Sequence, residues 1–480
     1  MPSEPRAEQP AQYLHIAAGP LAFGAILLLP VESMTYPIRC SIGLLFWTAW
    51  WWITRPVHLA VTGLVPLAVV AIFDFIPIGE VLPSYADELI ILLAAANILS
   101  SVWHRWGFDK RIALVSLLGV GSGATRQILV WYAISALLAT LFPRSVVAAT
   151  MIPIVIAMLR FIGIEDLWNS RFGTALVLAI AWGASLGGFL TPLGGAPNLL
   201  AMKFVENTVT HREFLFVTWV TRLIPLTLAS VLTVFLYIRF ALQPEIREAP
   251  RSRTFLAEQL HSLGPLSAGE KWGVALFAAA TILAFTRQLY SAALPGLTPA
   301  FAFLAFGILC FMVRSARQPL ITWEYAQEHM MWGLFYVFAG GTALGAVLNK
   351  TGTAKYMADF LVPYAQGGGL IAMIVFCVLT MVLAQIVSNV ATVAITVPVA
   401  ISVFSSLETN PMPFIYAIIA ASHCGFMLPS SAGSSAIAAG YGVNLKTMFV
   451  KGFWAALLSL VVIILVAYLS MLLWPGFGQA

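Results

Sequence analysis

Apolar runs recur along the whole chain, parted by short polar turns, and most are about 20 residues long, the length that crosses a bilayer as a helix. They fall at about 12–31, 38–54, 57–75, 87–104, 172–205, 214–241, 271–288, 297–313, 330–349, 412–440 and 447–474. These predict about eleven transmembrane helices. Two further apolar stretches, about 126–160 and about 368–406, carry polar breaks near their middles. The sidedness of the charged loops balances only if each enters and leaves on the same side, so both read as re-entrant hairpins. The longest polar connection, 242–270, holds Arg247, Arg251 and Arg253 and is assigned to the cytoplasm. Counting spans from it places Arg105, Lys110, Arg111, Arg314 and Arg317 inside, as the positive-inside rule prefers. The same count puts the N-terminus in the cytoplasm and the C-terminus outside. The 74–88 loop also falls outside, and its acids Asp74, Glu80, Asp87 and Glu88 are expected to carry no basic partner.

Composition fixes the class. Hydrophobic residues make up 60% of the 480, charged residues 9%, and the mean hydropathy is +0.91. Soluble domains hold about 25% charged residues, so this is a polytopic protein embedded in membrane lipid, expected in a bacterial inner membrane. The first residues are polar and the apolar run after them is too long for a signal peptide, so the first helix is expected to remain as an anchor. The net charge of +5 is spread over short loops, which suits topology rather than nucleic-acid binding. Cys40, Cys310, Cys377 and Cys424 lack metal-ligand spacing, and neither a disulfide nor a metal cluster is expected. His423 stands alone beside Cys424, with none of the paired ligands or activated nucleophiles of an intramembrane enzyme.

The chain repeats itself. Gly107, Lys110 and Ala113 recur 245 residues later as Gly352, Lys355 and Ala358, and Pro153 recurs at the same offset as Pro398. Gly188-Phe189-Leu190-Thr191-Pro192 returns as Gly425-Phe426-Met427-Leu428-Pro429, 237 residues on. Because the first copy starts inside and the second outside, the repeats are inverted, the plan of secondary transporters that bind solute at the midplane on broken helices. The chain then divides into a tail with scaffold helices (1–56), a first repeat (57–241), the cytoplasmic linker (242–270) and a second repeat (271–480). Each repeat holds one hairpin and one broken helix, at about 172–205 and about 412–440.

Residues 388–398 place Ser388, Asn389 and Thr392 within an apolar segment. Lipid offers such groups no partner, so they bond to protein or surround an ion or solute. The glycines and prolines of 186–198 and 425–435 break helices at matching positions of the two copies. Freed carbonyls suit a cation, and exposed helix N-termini suit an anion. A channel would show no inverted internal repeat.

The Ser388-Asn389 motif with later Ala391-Thr392 and Pro398, and the loop Gly187-Gly188 through Thr191, Gly194, Pro197 and Asn198, resemble the divalent anion/sodium symporter family of citrate and sulfate permeases. The resemblance runs from about residue 57 to the C-terminus and includes Trp106 to Ala113 and Gly340-Gly341. It implies an all-α transporter with a dimer-forming scaffold and an elevator-type transport domain. The cargo would be a small anion such as a di- or tricarboxylate or sulfate, by sodium symport or by anion exchange. Arsenite-type permeases share a similar hairpin plan and are the alternative branch.

Carried over by residue, the substrate would meet Arg144, Ser145, Thr191, Pro192, Ser388, Asn389, Val390, Pro429, Ser430 and Ser431. A sodium ion is implied only at the second site, held by Ser388, Asn389, Thr392, Leu428, Ala432 and Gly433; no other cofactor is expected. The first site departs from the family. Pro143, Arg144 and Ser145 stand where the motif has Ser, Asn and Thr, Val147 replaces the following Thr, and only the clamshell residues Gly194, Gly195, Pro197 and Asn198 remain. A mid-membrane arginine costs at least about 2.5–3.5 kcal/mol on insertion scales, so Arg144 is expected to face a cavity or an anion. Its planar fork supplies permanently the charge that sodium would supply reversibly.

Overall fold

The computed structural model describes residues 10–118, 121–249, 251–357, 359 and 369–479. Residues 1–9 of the expected tail, Ala358 of the repeat register and residue 368 at the start of the second hairpin lie outside these. The structure is, among the described residues, all-α apart from a two-stranded turn at Arg314–Ser315 and Gln318–Pro319 and a single antiparallel bridge between Gly123 and Glu248. Among the described residues, eight helices are long and apolar enough to cross a membrane, the hairpin arms Arg144–Phe161, Gly369–Ile386 and Asn389–Ser406 among them; the expected spans at about 12–31, 38–54, 57–75 and 297–313 fall on Pro10–Leu27, Tyr36–Thr54, Leu59–Phe73 and Pro299–Met312. The spans about 172–205 and about 412–440 are each two helix halves, Arg171–Gly187 with Ala196–Val205 and Met412–Ser422 with Gly433–Gly440.

Both hairpins are present. Ala124–Ala139 turns into Arg144–Phe161, and Gly369–Ile386 turns into Asn389–Ser406. Each returning helix carries its proline inside, Pro153 and Pro398. Across the copies the packing is reciprocal. Arg144–Phe161 lies against Gly433–Gly440, and Asn389–Ser406 lies against Ala196–Val205. The outer helices follow the same rule, with Leu59–Phe73 on Trp332–Lys350 and Pro299–Met312 on Glu88–Trp106. The first of these pairs depends on glycine: a Cβ on Gly63 would lie 2.1 Å from the Tyr336 carbonyl oxygen, and one on Gly340 would lie 2.4 Å from the Gly63 carbonyl oxygen. Lipid gives helices little hydrophobic reason to associate, so such close backbone approach does much of the work of packing.

Two expectations change. The 242–270 connection is not a plain loop, because Arg251–Ser262 forms a helix against the short helix Phe108–Leu117. Arg111 pairs with Glu270 at 2.5 Å and donates to the carbonyls of Leu263 and Gly264, while Lys110 Nζ donates to Gln259 Oε1 at 3.0 Å. The acids of the 74–88 loop do have basic partners. Lys350 pairs with Glu80 at 2.9 Å and Lys203 with Asp87 at 3.0 Å. Both lysines are remote in sequence and reach the loop from helix ends that the fold brings to the same surface.

Candidate functional site

The two hairpin tips and the two breaks meet at one cavity of about 580 Å³. Its polar floor is built from helix starts. Arg144, Asn389, Ala196 and Gly433 are the first residues of four helices, and all four line it. Ser388 caps its own helix by accepting from the Ala391 amide at 3.4 Å. The other three starts, after Pro143, Gly195 and Ala432, have no side-chain cap. Uncapped amides and aligned peptide dipoles present partial positive charge, so the cavity favours an anion. No acidic residue lines it among the described residues.

Most of the sequence-predicted residues gather here. Pro143, Arg144 and Ser145 come from the first tip, and Ser388, Asn389 and Val390 from the second. The first break contributes Gly194, Gly195 and Pro197; the second contributes Pro429, Ser430, Ser431, Ala432 and Gly433. The copies interlock at the tips, since a Cβ on Gly433 would lie 3.2 Å from the Ser145 Cβ.

Arg144 is half-buried, and its Nη1 is inaccessible and has no hydrogen-bond partner. A cation at a helix N-terminus is also opposed by the dipole, by about 0.3–1 kcal/mol. Both facts call for an anion in the cavity. At the second tip the orphaned atoms are of the other kind. Asn389 is buried, and its amide nitrogen donates to the Ser422 carbonyl, which leaves Oδ1 without a partner. Thr392 Oγ1 is likewise buried and unpaired. Two unpaired oxygens in an apolar setting suit a hard cation such as sodium.

Thr191, Pro192, Asn198, Thr392 and Leu428 do not line the cavity. Thr191 holds the first break in shape: its hydroxyl donates to the Thr140 carbonyl and accepts from the Gly194 amide at 3.2 Å. Asn198 braces the same break, donating from Nδ2 to the carbonyls of Gly188 at 2.8 Å and Thr191 at 2.7 Å, while its Oδ1 stays unpaired. Leu428, expected to lend its carbonyl to a cation, instead accepts from the Ser431 amide at 3.1 Å and hydroxyl at 2.7 Å. The local turn of the break satisfies that carbonyl.

Other residues were not foreseen. Gln385 clamps the second break, donating from Nε2 to the Cys424 carbonyl at 2.7 Å and accepting at Oε1 from the Phe426 and Met427 amides, each at 3.1 Å. Its position three residues before Ser388 was the available signal. His423 is buried beside the first break, with Nε2 unpaired and 3.4 Å from where a Gly195 Cβ would stand. Arg55, His58, Met331 and Trp332 complete the wall.

The description "Sodium:sulfate symporter transmembrane region" matches this chain over residues 12–476. The sodium-dependent dicarboxylate transporter SdcS of Staphylococcus saprophyticus is 27% identical over 475 residues, covering 95% of this chain and 91% of that one. SdcS of Staphylococcus aureus is 26% identical over 478 residues, covering 96% and 91%. Among solved structures, the Alcanivorax borkumensis YdaH transporter, described as having an unusual topology, superposes with a TM-score of 0.55 at 14% identity, covering 83% of this chain and 88% of that one.

Proposed function

The chain belongs to the sodium:sulfate symporter family, a family of membrane transporters and not of enzymes, and from that premise we propose that it carries a small dianion by an elevator movement. The observation that carries this reading is the acid-free cavity ringed by four helix N-termini and holding Arg144. A dicarboxylate fits the relatives' names, and tricarboxylates and sulfate offer the same oxygens. The first repeat (57–241) and second repeat (271–480) contribute the moving hairpins and breaks; the helices between Pro10 and Thr54, with Leu59–Phe73 and its second-copy counterpart Pro299–Met312, form the scaffold, paired across a homodimer.

One cation is held at the second tip by Asn389 Oδ1, Thr392 Oγ1 and Ser388. At the first tip, the guanidinium of Arg144 takes the place of a second cation. Coupling is therefore to fewer sodium ions than in a relative with two intact motifs, and anion exchange becomes compatible with the site. Arg55 and Met331 to Trp332 stand at the cytoplasmic ends of their spans in the predicted topology, so the cavity they line faces inward. The membrane is the bacterial inner membrane, with the N-terminus in the cytoplasm.

Solute counterflow in proteoliposomes tests the transport reading. Saturable exchange of an external labelled dianion against an internal unlabelled one is expected; an unsaturable ohmic current would instead make the protein a channel. Thermal unfolding against a panel of anions, with and without sodium, identifies the cargo, because a ligand that binds the native state raises the apparent stability.

A further inference from the structure

The cavity contains a second arginine that belongs to neither hairpin nor break. Arg55 lies in the short turn between the scaffold helices Tyr36–Thr54 and Leu59–Phe73, and its side chain lines the same cavity as Arg144. Its backbone is held firmly, with φ of 50° in the left-handed region and the N–H bonded to the Trp51 carbonyl at 2.9 Å. Non-glycine residues adopt that conformation rarely, and the fold spends it on aiming this side chain inward. Nη2 donates to the carbonyl of Ser430, in the second break, while the residue as a whole stays exposed to the cavity. Ser430 donates its own hydroxyl to the Gln385 carbonyl at 3.3 Å, so this contact joins the scaffold turn to the segment that Gln385 clamps.

A guanidinium bound to one neutral carbonyl is poorly matched. A carboxylate or sulfonate oxygen pair accepts both arms of the fork with charge assistance, a bond roughly twice as strong as a neutral one. The inverted repeat adds an asymmetry. In the second copy the connection from Ala268–Phe285 to Pro299–Met312 holds Arg287. That guanidinium is buried and already taken, donating to Glu213 and to the carbonyls of Leu294 and Pro295, and it does not line the cavity. Whatever Arg55 does at one end of the elevator's travel has no mirror at the other.

We infer that Arg55 is a scaffold-borne contact for the second anionic group of the solute, made only in the cytoplasm-facing state. The inference rests on the elevator reading above. Arg144 rides on a hairpin and stays with the solute, whereas Arg55 stays with the scaffold and is left behind when the hairpins move. In this structure its fork rests on the Ser430 carbonyl. An arriving dianion exchanges that weak bond for a bidentate one, and outward movement breaks it. Arg55 therefore sets how tightly the solute is held on the cytoplasmic face and distinguishes anions with two charged ends from those with one.

The test uses the full-length protein in proteoliposomes of defined orientation. Unlabelled succinate, sulfate and butyrate compete against labelled succinate from each face, in wild type, Arg55→Gln and Arg55→Lys. Gln keeps a donor for the Ser430 carbonyl and removes the charge; thermal unfolding in detergent checks that each variant is folded, and Lys serves if Gln is not. The half-inhibiting succinate concentration is expected to rise about ten-fold or more in Arg55→Gln on the cytoplasmic face and less than about two-fold on the outer face. Butyrate should shift less than about two-fold on both, and Lys should lie between Gln and wild type on the cytoplasmic face. Equal shifts on both faces, or equal shifts for succinate and butyrate, would show a structural residue and overturn the inference, as would no shift at all. Failure of succinate and sulfate to compete in wild type would remove the dianion on which it rests. Loss of saturable counterflow in wild type would defeat the transport reading itself, a result separable from any obtained with the variants.

Discussion

The two hairpin tips share a backbone plan and differ in how positive charge reaches the cavity. At the second tip Ser388 caps its helix, and Asn389 and Thr392 leave buried oxygens unpaired, as a removable cation requires. At the first, Pro143 provides no cap, Val147 provides no hydroxyl, and Arg144 brings a fixed cation to a helix start that already repels it. A bound sodium lets the site change its charge between states, so anion binding can be linked to a gradient. An arginine cannot be released. On the proposed reading, one half of the site has exchanged coupling for a standing attraction to anions, while the other half has kept the means of coupling.

Substitutions at the two tips should therefore fail differently. The largest effect is expected from Asn389→Ala, which removes both the unpaired Oδ1 and the bond to the Ser422 carbonyl. Saturable uptake should be abolished while the protein still inserts and elutes as a folded species; normal uptake would take this motif out of the mechanism. Next comes Arg144→Asn, the family residue. Anion binding should weaken by a charge-assisted hydrogen bond, about 1.5–3 kcal/mol or roughly ten- to a hundred-fold, read by titration of thermal unfolding. Lysine there should rescue only in part, because it keeps the charge and loses the fork. Gln385→Ala deprives the second break of three hydrogen bonds and should lower stability by about 1–3 kcal/mol, measurable as earlier thermal unfolding. Thr191→Val, which removes the corresponding brace of the first break, should cost about 1 kcal/mol. Ser145→Ala should matter least, since its hydroxyl makes only a 3.7 Å contact to Met331 Sδ, and a change in affinity beyond about three-fold would mean that the first tip still uses a hydroxyl.

The spans, hairpins and breaks could be read from the sequence because a bilayer imposes them. It demands apolar runs of fixed length, and it makes every interior Ser, Asn, Gly or Pro conspicuous. The recurrence of Gly188-Phe189 and Pro192 as Gly425-Phe426 and Pro429 then paired the breaks without a structure. The linker helix Arg251–Ser262 was hidden for the opposite reason: it is polar and lies outside the apolar runs, so the bilayer leaves no mark on it. Gln385 and Arg55 were hidden because their meaning lies in contacts made across the fold, 39 residues away to Cys424 and 375 residues away to Ser430. The Leu428 carbonyl was assigned to a cation because breaks free carbonyls in general. The tight turn to Ser431 took it up again, and only geometry reveals that.

The central claim is that Arg144 stands permanently where a second sodium would otherwise bind, leaving one cation at the second tip. Initial uptake of a labelled dianion by wild-type proteoliposomes, measured across a sodium series at constant ionic strength, tests it most directly. The account predicts a rate that rises with sodium with an activation slope of about one, or not at all under exchange conditions; in Arg144→Asn the slope stays the same while the anion concentration needed rises roughly ten- to a hundred-fold. A wild-type slope of about two or more, or an unchanged anion affinity in Arg144→Asn, would contradict it.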